Sequence, residues 1–215
     1  ALFKLGDRSE LDVLLGLASV AQLKKYCKPE IIDSNTIEIK NGRHPVIEQI
    51  IKSDEQFIPN DIYLNPKEKQ IALITGPNMA GKSTILRQTA VIILLNQIGC
   101  YVPADKSTLG IFDKIFTRIG ASDDLSLGLS TFMTEMVETS RIINEASESS
   151  LVILDELGRG TSSEDGFAIA FSVLEYIATK IKCITLFATH YKDLCDMTKS
   201  INKLVIKPDK LTLCI

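Results

Sequence analysis

The sequence predicts an α/β fold: a mostly parallel sheet flanked by helices, with a smaller β-rich N-terminal region and a C-terminal hairpin. Three observations carry this expectation. The runs IALIT (71–75), LVILD (151–155) and CITLFA (183–188) are short, continuous and apolar, the signature of strands buried on both faces. Stretches with helical periodicity follow each of the first two, so that strand, loop and helix succeed one another as in parallel βαβ units. The chain is also long enough, at 215 residues with 45% apolar side chains, for one large domain or one domain with an appended piece.

The elements follow in order. Residues 9–23 read as a helix: Ser9 with Asp12 makes a capping-box pattern, and Leu11, Leu14, Leu15, Ala18 and Ala21 or Gln22 keep a 3.6-residue period. Lys24, Lys25 and Lys28 come next, and Pro29 ends the segment. Over 31–68 the character changes. TIEIK alternates like a strand, and turn residues cluster at Asn41-Gly42, Pro45, Pro59-Asn60 and Asn65-Pro66, which predicts a small β-rich region. The main body begins at about residue 69. IALIT leads through a glycine-containing loop into a helix over 82–98, closed by Gly99; IFDKIFTRIG (111–120) alternates as a strand. A helix starting near Thr131 carries Phe132, Met133, Met136, Val137, Ile142 and Ile143, and Ser162 with Asp165 caps another over roughly 164–180. Residues 203–215 read as a hairpin turning at Pro208-Asp209.

Composition narrows the function classes. Lys and Arg number 24 against 27 Asp and Glu, a net charge of −3, and the pI is near 5.5. The 45% apolar content excludes disorder, collagen-like fibres and a small disulfide scaffold, and the charge balance argues against nucleic-acid binding by bulk positive charge. Lys199, Lys203, Lys207 and Lys210 form a local basic tract best read as a solvated hairpin face, so these residues alone are expected to bind duplex DNA weakly or not at all. No apolar run is long enough to span a membrane, and ALFKLGDRSE lacks the layout of a signal peptide. The five cysteines, Cys27, Cys100, Cys183, Cys195 and Cys214, are widely spaced with no C-x-x-C pair. Reduced thiols in a cytoplasmic protein are the expectation. Ala1 at the start and the abrupt end at Ile215 suggest a piece cut from a longer chain.

Two motifs carry chemistry. Gly76-Pro77-Asn78-Met79-Ala80-Gly81-Lys82-Ser83 fits G-x-x-x-x-G-K-[ST], with an expected strand before it and a helix after it. Glycines let the backbone curl its N–H groups toward phosphate oxygens, and the helix adds its positive dipole end. Lys82 can then reach the β- and γ-phosphates while the Ser83 hydroxyl ligates Mg²⁺. The second motif is LVILDE, two acids at the end of a buried strand. Asp155 is placed to hold Mg²⁺ through water beside such a loop. Glu156 reads either as a solvated strand-end acid or, beside a phosphate cradle, as the general base that orients the attacking water.

Weaker signals lie nearby. His190 follows the strand CITLFA; it is either structural or, at the ligand-binding edge of an open α/β sheet, a γ-phosphate sensor. In Gly128-Leu129-Ser130-Thr131-Phe132-Met133 the hydroxyls sit at an expected helix start, either as ordinary caps or as an anion site.

Taken together, TGPNMAGKST, YVPA, STFMTEM, DELGRGTSSEDG and FATHY, with GRHPVIE and FIPND upstream, closely resemble the ATPase domain of MutS-type DNA mismatch-repair proteins. The resemblance runs from about residue 10 to about 200. It implies an ABC-type P-loop ATPase fold over 31–215, divided into a β-rich part (31–68), a P-loop core (69–200) and terminal strands (201–215), with 1–30 as a helical stub of a preceding lever region. It implies Mg²⁺-dependent hydrolysis of ATP to ADP and phosphate, coupled to DNA clamping and mismatch signalling. Residues Gly76 to Thr84 would hold the nucleotide, with Phe57 and Ile58 beside the adenine, Asn78 and His190 near the γ-phosphate, and Glu156 activating water. Ser130 would act in trans on the site of a second copy. Mismatched DNA would be met by domains outside this stretch, and downstream repair proteins would be further partners. Two departures stand out: Ala80 replaces a glycine common in the family, and Leu129 replaces a basic residue found in several members. A MutS relative acting in recombination, with this stretch as a nucleotide-gated dimerisation module, is the alternative. A transport-type ABC ATPase fits poorly, since no L-S-G-G-Q segment is present.

Overall fold

A computed structural model describes residues 5–51, 57–77, 81–119, 131–191, 193–194 and 204–207. The described chain is α/β, with one mixed and one parallel sheet. In chain order the elements are α1 (Leu5–Leu23), β1 (Glu30–Ile31), β2 (Ile37–Gly42), α2 (Ile47–Ile50), β3 (Asn60–Leu64), β4 (Ile71–Ile74), α3 (Lys82–Gln97), β5 (Lys106–Leu109), β6 (Ile115–Arg118), α4 (Thr131–Glu145), β7 (Leu151–Asp155), α5 (Ser163–Tyr176), β8 (Ile184–Ala188) and β9 (Leu204–Lys207).

The five-stranded sheet runs β6-β7-β8-β4-β9, and all its neighbouring strands are parallel. Its three apolar runs are buried on both faces, as expected from their lack of alternation. In β4, Ala72 and Ile74 join one core cluster while Ile71 and Leu73 join the other. Leu151 and Ile153 of β7 likewise oppose Val152 and Leu154. Helix α3 covers the first face with Ile85, Leu86, Ile92 and Ile93, backed by Ile37, Ile39, Ile62 and Leu64 of the smaller sheet. Ile142 of α4 and Ala170, Val173 and Leu174 of α5 cover the second.

The smaller sheet has the order β1-β5-β2-β3. Its second member in sequence, β2, pairs antiparallel with both β3 and β5. Lys106–Leu109 therefore leaves the main body to complete the β-rich region. Neither the alternation within 31–68 nor the turn residues announced this recruitment.

Helix ends follow local chemistry. The Ser162 side chain accepts the Asp165 N–H at 3.2 Å, the expected cap of α5. That helix widens into a π-helical turn at Ile177–Ile181, closed by Lys182 in a left-handed conformation at φ 61°. Two expectations need correction. The first helix begins at Leu5, so Ser9 lies inside it and is no cap. Its period is real, but Leu11, Leu14 and Leu15 are more than half exposed. Among the described residues of 111–120, only Ile115–Arg118 is a strand. Ahead of it the Gln97 side chain takes the Phe112 N–H at 3.0 Å and donates to the Phe112 carbonyl at 3.1 Å, which replaces a strand neighbour. Of the expected terminal hairpin, only 204–207 is described, as the parallel edge strand β9 beside β4; its turn and return strand lie outside the described residues. Among the described residues, no helix is long and apolar enough to cross a membrane.

Candidate functional site: a phosphate cradle at the sheet edge

Parallel strands deliver their C-terminal ends to one edge, and there the chemistry collects. Three strand ends are stitched together by the backbone. Asp155 lies opposite Ala188, the Glu156 N–H donates to the Ala188 carbonyl at 2.9 Å, and the Thr189 N–H donates to the Ile74 carbonyl at 3.0 Å. The loop after β4, the acid pair after β7 and the Thr189-His190 pair after β8 are thus fixed relative to one another.

Helix α3 starts at Gly81, whose φ of 76° lies in the left-handed region that glycine adopts without strain. The cap residue, a glycine, offers no side chain to this start, and free N–H groups at a helix start suit an anion. Lys82 is only 5% exposed. Its Nζ donates to the carbonyls of Gly76 at 2.7 Å and Pro77 at 3.0 Å, and stands 3.8 Å from Glu156 Oε1. The ammonium therefore lies across the mouth of the loop. Asn78, Met79 and Ala80 lie outside the described residues, as do Leu129 and Ser130.

Asp155 is buried, and burial pushes its carboxyl above the usual carboxylate range; a hydrogen bond from the half-buried Ser83 hydroxyl opposes this. Among the described residues its Oδ1 has no hydrogen-bond partner, although it is shielded from solvent. A hydroxyl beside an under-satisfied carboxylate oxygen, next to a helix start, fits a hard divalent cation. Such an ion takes one or two protein oxygens and completes its shell with phosphate and water. Among the described residues no cluster of three or more His, Cys, Asp or Glu side chains could hold a metal by itself.

Glu156 adopts a left-handed backbone at φ 56°, unusual for a residue with a side chain. The turn carries its carboxylate off the strand line and toward Lys82. Arg159 Nη1 meets its other oxygen, Oε2, at 2.6 Å, although the Arg159 side chain is mostly exposed. His190 is exposed, with its ring centroid 4.0 Å from that of Tyr191. Phe57, half-buried, and Ile58, 37% exposed, precede β3 in the other sheet. Asn60 Nδ2 holds the Ile58 carbonyl at 3.2 Å. Thus Lys82, Ser83, Asp155 and Glu156 form one cluster, to which His190 is tied through the backbone of Thr189. Phe57 and Ile58 share no hydrogen bond or ion pair with it among the described residues.

Sequence reasoning assigned no role to Glu135, Gly158, Arg159 or Tyr191, which surround the loop after Glu156. A signal for Glu135 was present: it falls on the stripe of Phe132, Met136, Thr139 and Ile142, where an acid must be buried. Arg159, three residues from Glu156, was readable as an ion-pair partner only once the turn was known.

Comparison with known proteins identifies relatives of this chain. The family model for MutS domain V matches residues 72–210. The DNA mismatch repair protein MutS of Acetivibrio thermocellus is 56% identical over 193 residues, covering 90% of this chain and 22% of that protein. That of Clostridioides difficile is also 56% identical, over 189 residues, with 88% and 20% covered, and that of Protochlamydia amoebophila is 56% identical over 197 residues, with 90% and 23% covered. The chain spans about a fifth of the length of the curated relatives it matches. It belongs to the MutS domain V family.

Proposed function

We propose that this chain is the ATP-binding and ATP-hydrolysing domain of a DNA mismatch-repair protein, an ABC-type P-loop ATPase that couples ATP binding and hydrolysis to DNA clamping and mismatch signalling. One observation carries the reading most directly: Lys82, Ser83, Asp155 and Glu156 meet at the C-terminal edge of a parallel sheet, beside an uncapped helix start. The mismatch-repair setting is drawn from the names of the relatives.

In this reading the backbone from Gly76 to Thr84 cradles the phosphates, and Lys82 exchanges the Gly76 and Pro77 carbonyls for phosphate oxygens. Ser83 and Asp155 hold Mg²⁺. When bound, that ion neutralises charge on the β- and γ-phosphates. Glu156 orients the attacking water and accepts its proton, which requires its carboxylate to give up Arg159 and Lys82. His190 and Asn78 serve the γ-phosphate, and Phe57 and Ile58 border the adenine. Ser130 completes the site of a second copy, so the working unit is a dimer with composite sites. Mismatched DNA and downstream repair proteins are partners of the whole protein through other domains, in the cytoplasm. The stretch divides as the resemblance implies, with 1–30 continuing a lever region and 31–215 forming the ATPase domain.

The deciding measurement replaces Glu156 by Gln. Turnover should fall at least ~100-fold, the range of a general base, while ATP affinity is retained. Unchanged turnover would overturn the assignment of the base.

A further inference from the structure

Gly158 is held by both of its backbone groups. Its N–H donates to Glu135 Oε1 at 2.5 Å, and its carbonyl accepts the Tyr191 hydroxyl at 3.1 Å. The two clamping side chains come from separate elements: Glu135 from the second turn of α4, Tyr191 from just past β8. Glu135 is 1% exposed, so its carboxylate was withdrawn from water, a cost that only a strong acceptor role offsets. The two side chains also feel each other, because Glu135 adds to burial in raising the Tyr191 hydroxyl above its ordinary pKa.

The seat is shaped for this loop alone. Gly158 has φ 90°, and a Cβ there would collide with the Gly166 carbonyl. A Cβ on Gly160 would press against the Phe132 backbone at 3.0 Å and Glu135 Oε2 at 3.2 Å. The loop is thus pressed onto α4 on one side and α5 on the other. Two residues before Gly158 stands Glu156, in its left-handed turn.

We propose that Glu135 is a positioning residue: it clamps the loop at Gly158 and so holds the Glu156 carboxylate where water must be activated. Glu135 does not itself reach the reacting atoms. This rests on the reading of Glu156 as general base.

The test, made in the full chain, has two arms. In the first, amide hydrogen exchange of the loop 157–160 is followed without nucleotide. Glu135→Ala should raise exchange there at least tenfold, and Glu135→Gln, which keeps an oxygen acceptor for the Gly158 N–H, should restore protection. Unchanged exchange in Glu135→Ala overturns the clamp, whether or not the chain hydrolyses ATP. In the second arm, Glu135→Ala should lower kcat about 10- to 100-fold, the range of a hydrogen bond to a charged group, with ATP affinity unchanged; Glu135→Gln should return kcat to within about threefold of the parent. A loosened loop with undiminished kcat would overturn the positioning role, as would weakened ATP affinity at constant kcat. A parent chain that binds ATP without hydrolysing it would count against the base assignment, leaving the exchange arm to decide the clamp. Tyr191→Phe approaches Gly158 from the other side and carries both arms if Glu135→Ala does not fold.

Discussion

Asp155 shows how function and stability part at the level of one residue. Burial is the largest influence on its carboxyl and raises its pKa, and among the described residues one of its oxygens lacks a partner. A folded-state pKa above the unfolded value means that the fold prefers the protonated form. Its charged form therefore costs stability at neutral pH, and the cost disappears as pH falls through the folded pKa. Asp155→Asn should stabilise the chain by on the order of 1 kcal/mol at pH 7 without nucleotide or divalent cation, and the gain should shrink on acidification. Denaturant titrations at two pH values check both parts; a destabilised Asn variant at pH 7 would show that Asp155 has a stronger partner than Ser83. In the sequence, Lys82, Ser83, Asp155 and Glu156 were legible because their chemistry depends on short spacings along the chain. Glu135 and Tyr191 were harder to read, because their partner, Gly158, is distant in sequence and is reached only when α4 and the end of β8 pack around the loop.

Among the elements, the strands of the parallel sheet were the plainest to read. Continuous apolar runs have few other uses at this length, and β4, β7 and β8 fall where IALIT, LVILD and CITLFA stood. What stayed hidden were the elements defined by distant partners. Lys106–Leu109 is an ordinary sequence until β2 is available to pair with it, and 111–114 alternates like a strand but is bound by a helix side chain instead. The two-sided burial of β7 makes an element-level prediction. Ile153, fully buried against α3, and Val152, fully buried on the α5 side, serve opposite faces of one strand. Ile153→Ala should cost about 3 kcal/mol of unfolding free energy, visible as a lower denaturation midpoint with an unchanged slope. A loss below about 1 kcal/mol would mean that the α3 face tolerates a cavity better than close packing allows.

At the scale of the molecule, the net charge of −3 argues against gripping a duplex by charge alone. If Ser130 completes a second copy's site, the ATPase rate per chain should rise with protein concentration until the dimer is saturated, in assays spanning at least a hundredfold range. A rate per chain that is constant over that range would count against composite sites. Because α4 begins directly after Ser130 and carries Glu135, one rigid helix would then join a partner's phosphate sensor to the loop behind the protomer's own base. The order of the large sheet has a further consequence, for how the chain comes into being. The strand that leads into the candidate site, β4, is flanked by β8 and β9, both of which follow it in the chain. The smaller sheet has all its strands once Leu109 has emerged, but β4 must wait, apolar and unpaired, until Ile184–Ala188 has been made. The candidate site at this sheet edge can therefore assemble only after Ala188 has been made, and until then β4 is an apolar strand open to a chaperone.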